Sequence, residues 1–193
     1  MTSRDFASVG DTAVTAWFGD GFARLHPMLQ DIHRDGGRLH GSVTLRFGRG
    51  LAGALGRWLA RNVGIPDVAG EHRLDVEVSH GASAMSWNRC FDGTHRVHSK
   101  FRPEGHWPDG RWLETSGSAE FAMTVDVIDG GWHWRVVGMR LRGVRLPLWL
   151  LPRSAAGKRV EAGKYRFVVG FSLPILGEVL SYSGLLDLDT ALP

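Results

Sequence analysis

The sequence predicts a mainly β protein: an antiparallel meander closed into a β-barrel or a strongly rolled sheet, with two helical segments near the N-terminus. Three observations carry this. From residue 72 onward apolar residues recur at every second position, the period at which a strand turns one face to a core. Asp92-Gly93 and Asp129-Gly130 separate alternating segments, and tight hairpin turns need residues that accept positive φ. Glycine is abundant, 26 residues in 193, and it punctuates short segments as a many-turned β protein requires.

The helical segments come first. Phe18, Phe22, Leu25, Leu29 and Ile32 recur at steps of four and three, one helical stripe within a cap spanning about residues 11–34. Asp11 or Thr12 is placed to cap it, and Gly36-Gly37 ends it. Gly19, Gly21 and Pro27 divide it into two shorter helices, the second beginning near Pro27, because proline is tolerated in a first turn. A second helical segment covers about residues 49–63, with Leu51, Leu55, Trp58, Leu59 and Val63 as its apolar side. Gly64 stands where a left-handed cap belongs and Pro66 follows. Between the helices, Leu39, Val43, Leu45 and Phe47 indicate a strand over 38–47 with an irregularity at Gly41.

Seven or more strands follow over 72–189. Leu74, Val76 and Val78 share one face of the first, and Met85, Trp87, Arg89 and Phe91 one face of the next. Phe121, Met123, Val125 and Val127 alternate in a later strand, and Tyr165, Phe167, Val169 and Phe171 in another. A meander this long must close or fold over, because open edges invite aggregation. A two-sheet sandwich is the rival arrangement. No repeat, low-complexity tract or linker interrupts the chain, so residues 1–193 read as one domain.

Composition excludes several classes. Basic residues number 23 and acidic residues 20, for a net charge of +3 without a basic run, so nucleic acid is not an expected partner. Cys90 is the single cysteine, which allows no internal disulfide and suits a reducing compartment. The opening stretch MTSRDFASVGDTAV lacks a basic segment followed by an apolar one. No window reaches the ~18 consecutive apolar residues of a spanning helix. A soluble, cytoplasmic protein is the expectation.

Several stretches also resemble a known family. Trp87, Arg89 and Phe91 fit a Trp-x-Arg-x-Phe pattern. Leu146, Pro147, Leu150 or Leu151 and Pro152 fit Leu-Pro-x-x-Leu-x-Pro. Leu173, Pro174, Gly177, Tyr182, Gly184 and Leu185 fit a closing Leu-Pro-x-x-Gly with Tyr-x-Gly-x-Leu. In this order, from RLHPMLQDIHR onward, the chain resembles the bacterial domain of unknown function 4166. The resemblance implies no activity and no catalytic residues. It does imply relatives that stand alone, as this chain reads, or are joined to a saccharopine-dehydrogenase-like domain, hence an oxidoreductase as one expected partner.

No motif declares a reaction. His95 and His98 fall on opposite faces of one strand, His33 and His40 flank a glycine turn, and His72 and His80 end one strand. Metal-ligand spacings such as Cys-x-x-Cys or His-Glu-x-x-His do not occur, so no metal site is expected. There is no Gly-x-Ser-x-Gly elbow, and Cys90 reads as a small buried hydrophobe rather than a nucleophile. GRGLAGALGRW lacks the lysine and Ser/Thr of a phosphate loop and the spacing of a dinucleotide fold, so no cofactor is expected. Glu114, Glu120 and Asp126 lie on or beside one hairpin and read first as a solvated outer face.

The candidate site is arginine sharing a face with aromatics. Arg89 stands between Trp87 and Phe91, and Arg140 and Arg142 follow Trp132 and Trp134 unless a bulge intervenes near Gly138. A buried arginine demands an anion. That anion is either an internal carboxylate or the carboxylate or phosphate of an amphipathic ligand held by the guanidinium. Calycin-like barrels that carry fatty acids supply the analogy. The leading expectation is therefore non-enzymatic binding of an apolar or amphipathic small molecule. Trp87, Phe91, Tyr165, Phe167 and Tyr182 would form its walls and Arg89 its head-group anchor, with Arg140 or Arg142 as a second option. The alternatives are an enzyme acting on such a ligand and a structural or interaction module with a filled core.

GVRLPLWLLPR, residues 143–153, is too short to span a membrane and too broken by proline for regular pairing. Leu146, Leu148, Trp149 and Leu151 are expected to plug one barrel end, or to form a portal that touches a membrane with Arg145 and Arg153 facing lipid phosphates. An oligomer contact is the third reading.

Overall fold

A computed structural model describes residues 12–116, 119–147, 153–154 and 156–189. It opens with α1 (Ala13–Phe18), a 3₁₀ turn (Gly19–Arg24) and α2 (Pro27–Asp35). The expected division at Pro27 is therefore present. Thr12 caps α1 in a reciprocal box with Thr15; Asp11 lies outside the described residues. Then come β1 (Gly37–Phe47), α3 (Gly50–Val63), β2 (Gly70–His80), β3 (Met85–Phe91), β4 (His95–Glu104), β5 (Arg111–Ser116), β6 (Ala119–Ile128) and β7 (Gly131–Leu141). Two short strands, β8 (Val144–Arg145) and β9 (Arg153–Ser154), precede β10 (Ala156–Glu161), β11 (Lys164–Leu173) and β12 (Gly177–Asp189). Strands hold most of the described residues, and every pairing among them is antiparallel.

One sheet runs from β10 through β11, β12, β1 and then β2 to β7 in order. Its two edges meet where Ala156, Gly157 and Lys158 pair with Trp134, His133 and Trp132. This seam closes a ten-stranded barrel, and a single closed sheet removes the sandwich alternative. Asp92-Gly93 and Asp129-Gly130 both turn with positive φ, 50° and 72° in the first and 50° and 74° in the second. The chain therefore reverses without splaying the twisted strands.

Because neighbours are antiparallel, the connections fall at two ends. At one end α1 and α2 cover the barrel: Trp17 meets Trp112 edge-on at 5.4 Å between centroids, and Phe18 meets Trp132 at 5.0 Å. Leu29 and Ile32 of α2 are buried in the same core; burial of each contributes ~1.5–3 kcal/mol before entropy is counted. α3 crosses the other end from β12 to β4, with Gly48 N donating to Val179 O and a Cβ at Gly64 falling 2.4 Å from Arg96 O.

Two expectations are corrected. β1 has no irregularity at Gly41: its register with β2 and β12 runs unbroken through that residue. Glycine is needed there because a Cβ would lie 2.8 Å from Leu185 O. α3 does not bury its large side chains. It buries Ala52, Gly53, Gly56 and Ala60, while Leu51 is 79% and Trp58 54% exposed. The helix lies so near β12 that a Cβ on Gly56 would fall 2.1 Å from Val179 O, so only small residues fit beneath it. Leu55 and Leu59 are half-buried at its margins.

Candidate functional site

Alternation along β3 turns Trp87, Arg89 and Phe91 into the barrel and leaves Cys90 on the other face. Arg89 donates through Nη1 to the Tyr182 hydroxyl at 2.9 Å, and its Nη2 meets Ser99 Oγ. Both partners are neutral and buried. Nε of Arg89 is buried without a partner among the described residues. The residue as a whole is half-buried. Burial opposes its charge, and Tyr182 and Glu114 more than offset that, holding its pKa above the ordinary value.

Glu114 is the acid of this compartment. It pairs with Phe101 on β4 and Phe121 on β6 and follows the inward Trp112 by two residues, which places it inside. This corrects its reading as part of a solvated outer face. Glu120 and Asp126 do lie outside, in exposed pairs with Arg140 (2.9 Å) and Arg135 (2.9 Å).

The expected walls gather around Arg89. Trp87 stacks on Phe167 at 5.8 Å between centroids, Phe91 meets Tyr182 edge-on at 5.4 Å, and Tyr165 and Phe167 lie 6.4 and 5.8 Å from Trp87 and Tyr182. These rings touch one another, so this level of the barrel is a filled floor rather than an empty chamber. The Tyr165 hydroxyl is buried without a partner among the described residues, and burial pushes its pKa well up. Toward the α3 end, Glu114, Phe121, Val136, Met139, Val169 and Phe171 of β5–β7 and β11 are half-buried, while Leu45, Phe91 and Val97 are buried. The half-buried ones flank the part of the seam beyond Trp134, where the β7–β10 ladder has ended.

Arg140 and Arg142 do not join the site. The register of β6 and β7 shifts between Ala122 and Met123, leaving Val137 as an extra residue. That bulge reverses the parity, so Arg140 points outward to Glu120. Arg142 sits exposed in the β7–β8 turn at φ 50°. Leu146 is half-buried and its N–H donates to Met139 O at 2.9 Å. Leu148, Trp149 and Leu151 lie outside the described residues.

A second basic side chain in the interior was not legible. Lys158 of β10 is 3% exposed. Its Nζ lies 4.2 Å from the Trp87 ring centre and 4.1 Å from that of Trp132, and it shares a hydrogen bond with His33 Nε2 at 2.8 Å. Burial pushes the Lys158 pKa well down. Burial, then Lys158 and His80, do the same to His33. Arg89 and Lys158 thus lie on either side of the Trp87 layer. A cavity of about 270 Å³ at the seam is lined by Trp134, Ala156, Lys158, His133, Arg159 and Arg166 among others.

Among the described residues no three His, Cys, Asp or Glu side chains converge as metal ligands. No described helix is long and apolar enough to cross a membrane. Fold and site together define a closed antiparallel barrel with a polar site built into an aromatic interior. The chain belongs to the family described as Domain of unknown function (DUF4166), which matches residues 25–186. No curated protein matches it.

Proposed function

We propose that the protein binds an amphipathic small molecule of lipid or fatty-acyl type, in the manner of a calycin-like barrel and without converting it. The carrying observation is Arg89: an inward guanidinium whose hydrogen-bond partners are neutral hydroxyls and whose Nε is unpartnered among the described residues. Such a group stabilises an incoming oxygen-rich head group, since charge-assisted hydrogen bonds are the strong ones. Trp87, Phe91, Tyr165, Phe167 and Tyr182 form the floor. The half-buried Phe121, Val136, Met139, Val169 and Phe171 receive the chain between Arg89 and the seam.

Palmitate and hexadecanol test this. Native mass spectrometry of freshly purified protein is expected to show a bound lipid or uptake of palmitate. Arg89→Ala should weaken palmitate at least about ten-fold, the loss of a hydrogen bond to a charged group, and leave hexadecanol nearly unchanged. Equal losses for both, or no uptake of either, would remove the reading.

A second reading rests on Glu114. An acid inside the barrel, near enough to raise the Arg89 pKa, also fits an enzyme acting on the same ligand. A mass change in the bound molecule on incubation, abolished by Glu114→Gln, would decide for it.

A further inference from the structure

We propose that the α3 end of the barrel docks on the surface of an anionic lipid bilayer. Ile128 and Val137 apart, every large apolar side chain that stands exposed among the described residues lies at this end. Leu51 and Trp58 belong to α3, and Val68 follows it. Val144 lies just beyond the end of β7, and Ile175 (84% exposed) and Leu176 lie between β11 and β12. In an antiparallel barrel those connections share one end, the one toward which the half-buried side chains beyond Arg89 lie. A soluble surface seldom gathers its exposed apolar groups in this way without a use for them.

The charges choose the occupant. α3 and the residue before it carry Arg49, Arg57 and Arg61 and no acid. Arg142 and Arg145 flank Val144 and are exposed. Asp67 and Asp92, acids at the same end, are taken up by Arg61 and His72, and the exposed Glu71 and Glu178 there are outnumbered by Arg49, Arg57, Arg142 and Arg145. Exposed Leu, Ile and Trp with interspersed arginine is the composition of a segment lying in the membrane interface, its rings at headgroup depth and its guanidiniums on phosphates. A second copy of the chain fits less well, because a twofold contact through this face would set arginine against arginine. The inference stands on exposure and charge, apart from the ligand reading. If both hold, the bilayer is the source of the ligand, reached from the α3 end.

Co-sedimentation with vesicles tests it, using phosphatidylcholine alone and phosphatidylcholine mixed with phosphatidylglycerol. The protein is expected to pellet with the mixed vesicles, weakly or not at all with the neutral ones, and less as salt rises. Trp58→Ser with Leu51→Ser should abolish pelleting, and Arg49→Glu should reduce the affinity about ten-fold. All three side chains are exposed, so unchanged thermal unfolding is expected and separates lost docking from lost folding. Arg89→Ala should pellet like the parent protein, which keeps a failure of the ligand reading distinct from a failure of this one. Equal binding to both vesicle types, or none to either, overturns the proposal. So does a dimer in solution that Trp58→Ser dissolves, which would give the face to a second copy.

Discussion

Lys158 Nζ and His33 Nε2 share a hydrogen bond of 2.8 Å, joining β10 to α2 inside the barrel. Among the described residues no carboxylate pairs with either group. Both are buried, and burial is the first cause of the lowered pKa of each. The faces of Trp87 and Trp132 offset part of that cost, since a cation over an indole gains ~0.5–2 kcal/mol. The cap is therefore seated on a contact that opposes protonation.

This makes stability depend on pH in a set direction. The folded-state pKa of Lys158 lies well below its ordinary value of 10.5, so between the folded value and 10.5 the unfolded chain holds a proton that the folded chain lacks. Stability should rise as pH climbs through that interval toward 10.5, by up to about 1.4 kcal/mol per unit. His33 acts in the same direction below its ordinary value of 6.5. Urea midpoints taken in steps above neutral pH measure the slope, and Lys158→Met should flatten it. The variant also strips His33 Nε2 of its partner, a cost of ~1–3 kcal/mol, so the slope and not the midpoint is the readout. An undiminished slope in the variant would mean that Lys158 keeps its proton inside the barrel.

Gly56→Ala sets helix propensity against space. Alanine in place of glycine favours a helix interior by ~1 kcal/mol. The new methyl, however, would sit 2.1 Å from Val179 O and 3.0 Å from Phe47 Cδ1, and backbone cannot give way cheaply. The clash wins, with a net loss of about 2 kcal/mol. Gly138→Ala is the control, because its methyl meets only Ala122 Cβ at 3.6 Å; it should stay within about 0.5 kcal/mol. Denaturant melts compare the two, and equal stability would mean that α3 does not lie against β12.

Which features could be read from sequence follows from what sets each of them. Period-two alternation and Asp-Gly turns are local, so the strands after residue 72 and two hairpins were legible. Arg142-Gly143 and Ala162-Gly163 make the same positive-φ turns (50° and 80°, 51° and 73°), but only the second residue of each gives a signal. Arg89 was legible because Trp87 and Phe91 fix the parity of its strand. Glu114 had the same cue in Trp112, outweighed by the expectation that carboxylates face water. Lys158 had none: AGKRVE carries no apolar alternation, and its surroundings come from α2, β3 and β7. The orientation of α3 was also hidden, since counting large apolar residues cannot foresee a helix that approaches its sheet through glycine and alanine.

The bulge at Val137 carries its own test. It sends Arg140 outward to an exposed partner, Glu120 at 2.9 Å, where an ion pair contributes at most ~1 kcal/mol. Arg140→Ala and Arg142→Ala should leave palmitate affinity unchanged and stability nearly so. Loss of palmitate binding in Arg140→Ala would place that arginine inside the barrel and undo the register of β6 and β7.

Glu114 sets the charge preference of the interior. It raises the Arg89 pKa, so its charge is felt at the guanidinium, and it must then repel an anionic head group bound there. Glu114→Gln keeps the shape of the side chain and removes the charge. Palmitate should bind roughly three- to ten-fold more tightly, the size expected for one unit charge several ångströms away in a partly solvated site, while hexadecanol should not change. Calorimetric titration of both ligands into both proteins reads the difference. The sign decides the chemistry: unchanged palmitate affinity puts the head group away from Arg89, and loss of both ligands makes Glu114 a direct acceptor for a hydroxyl or protonated acid. A gain confined to palmitate leaves the anion on Arg89, with Glu114 tuning how tightly it is held.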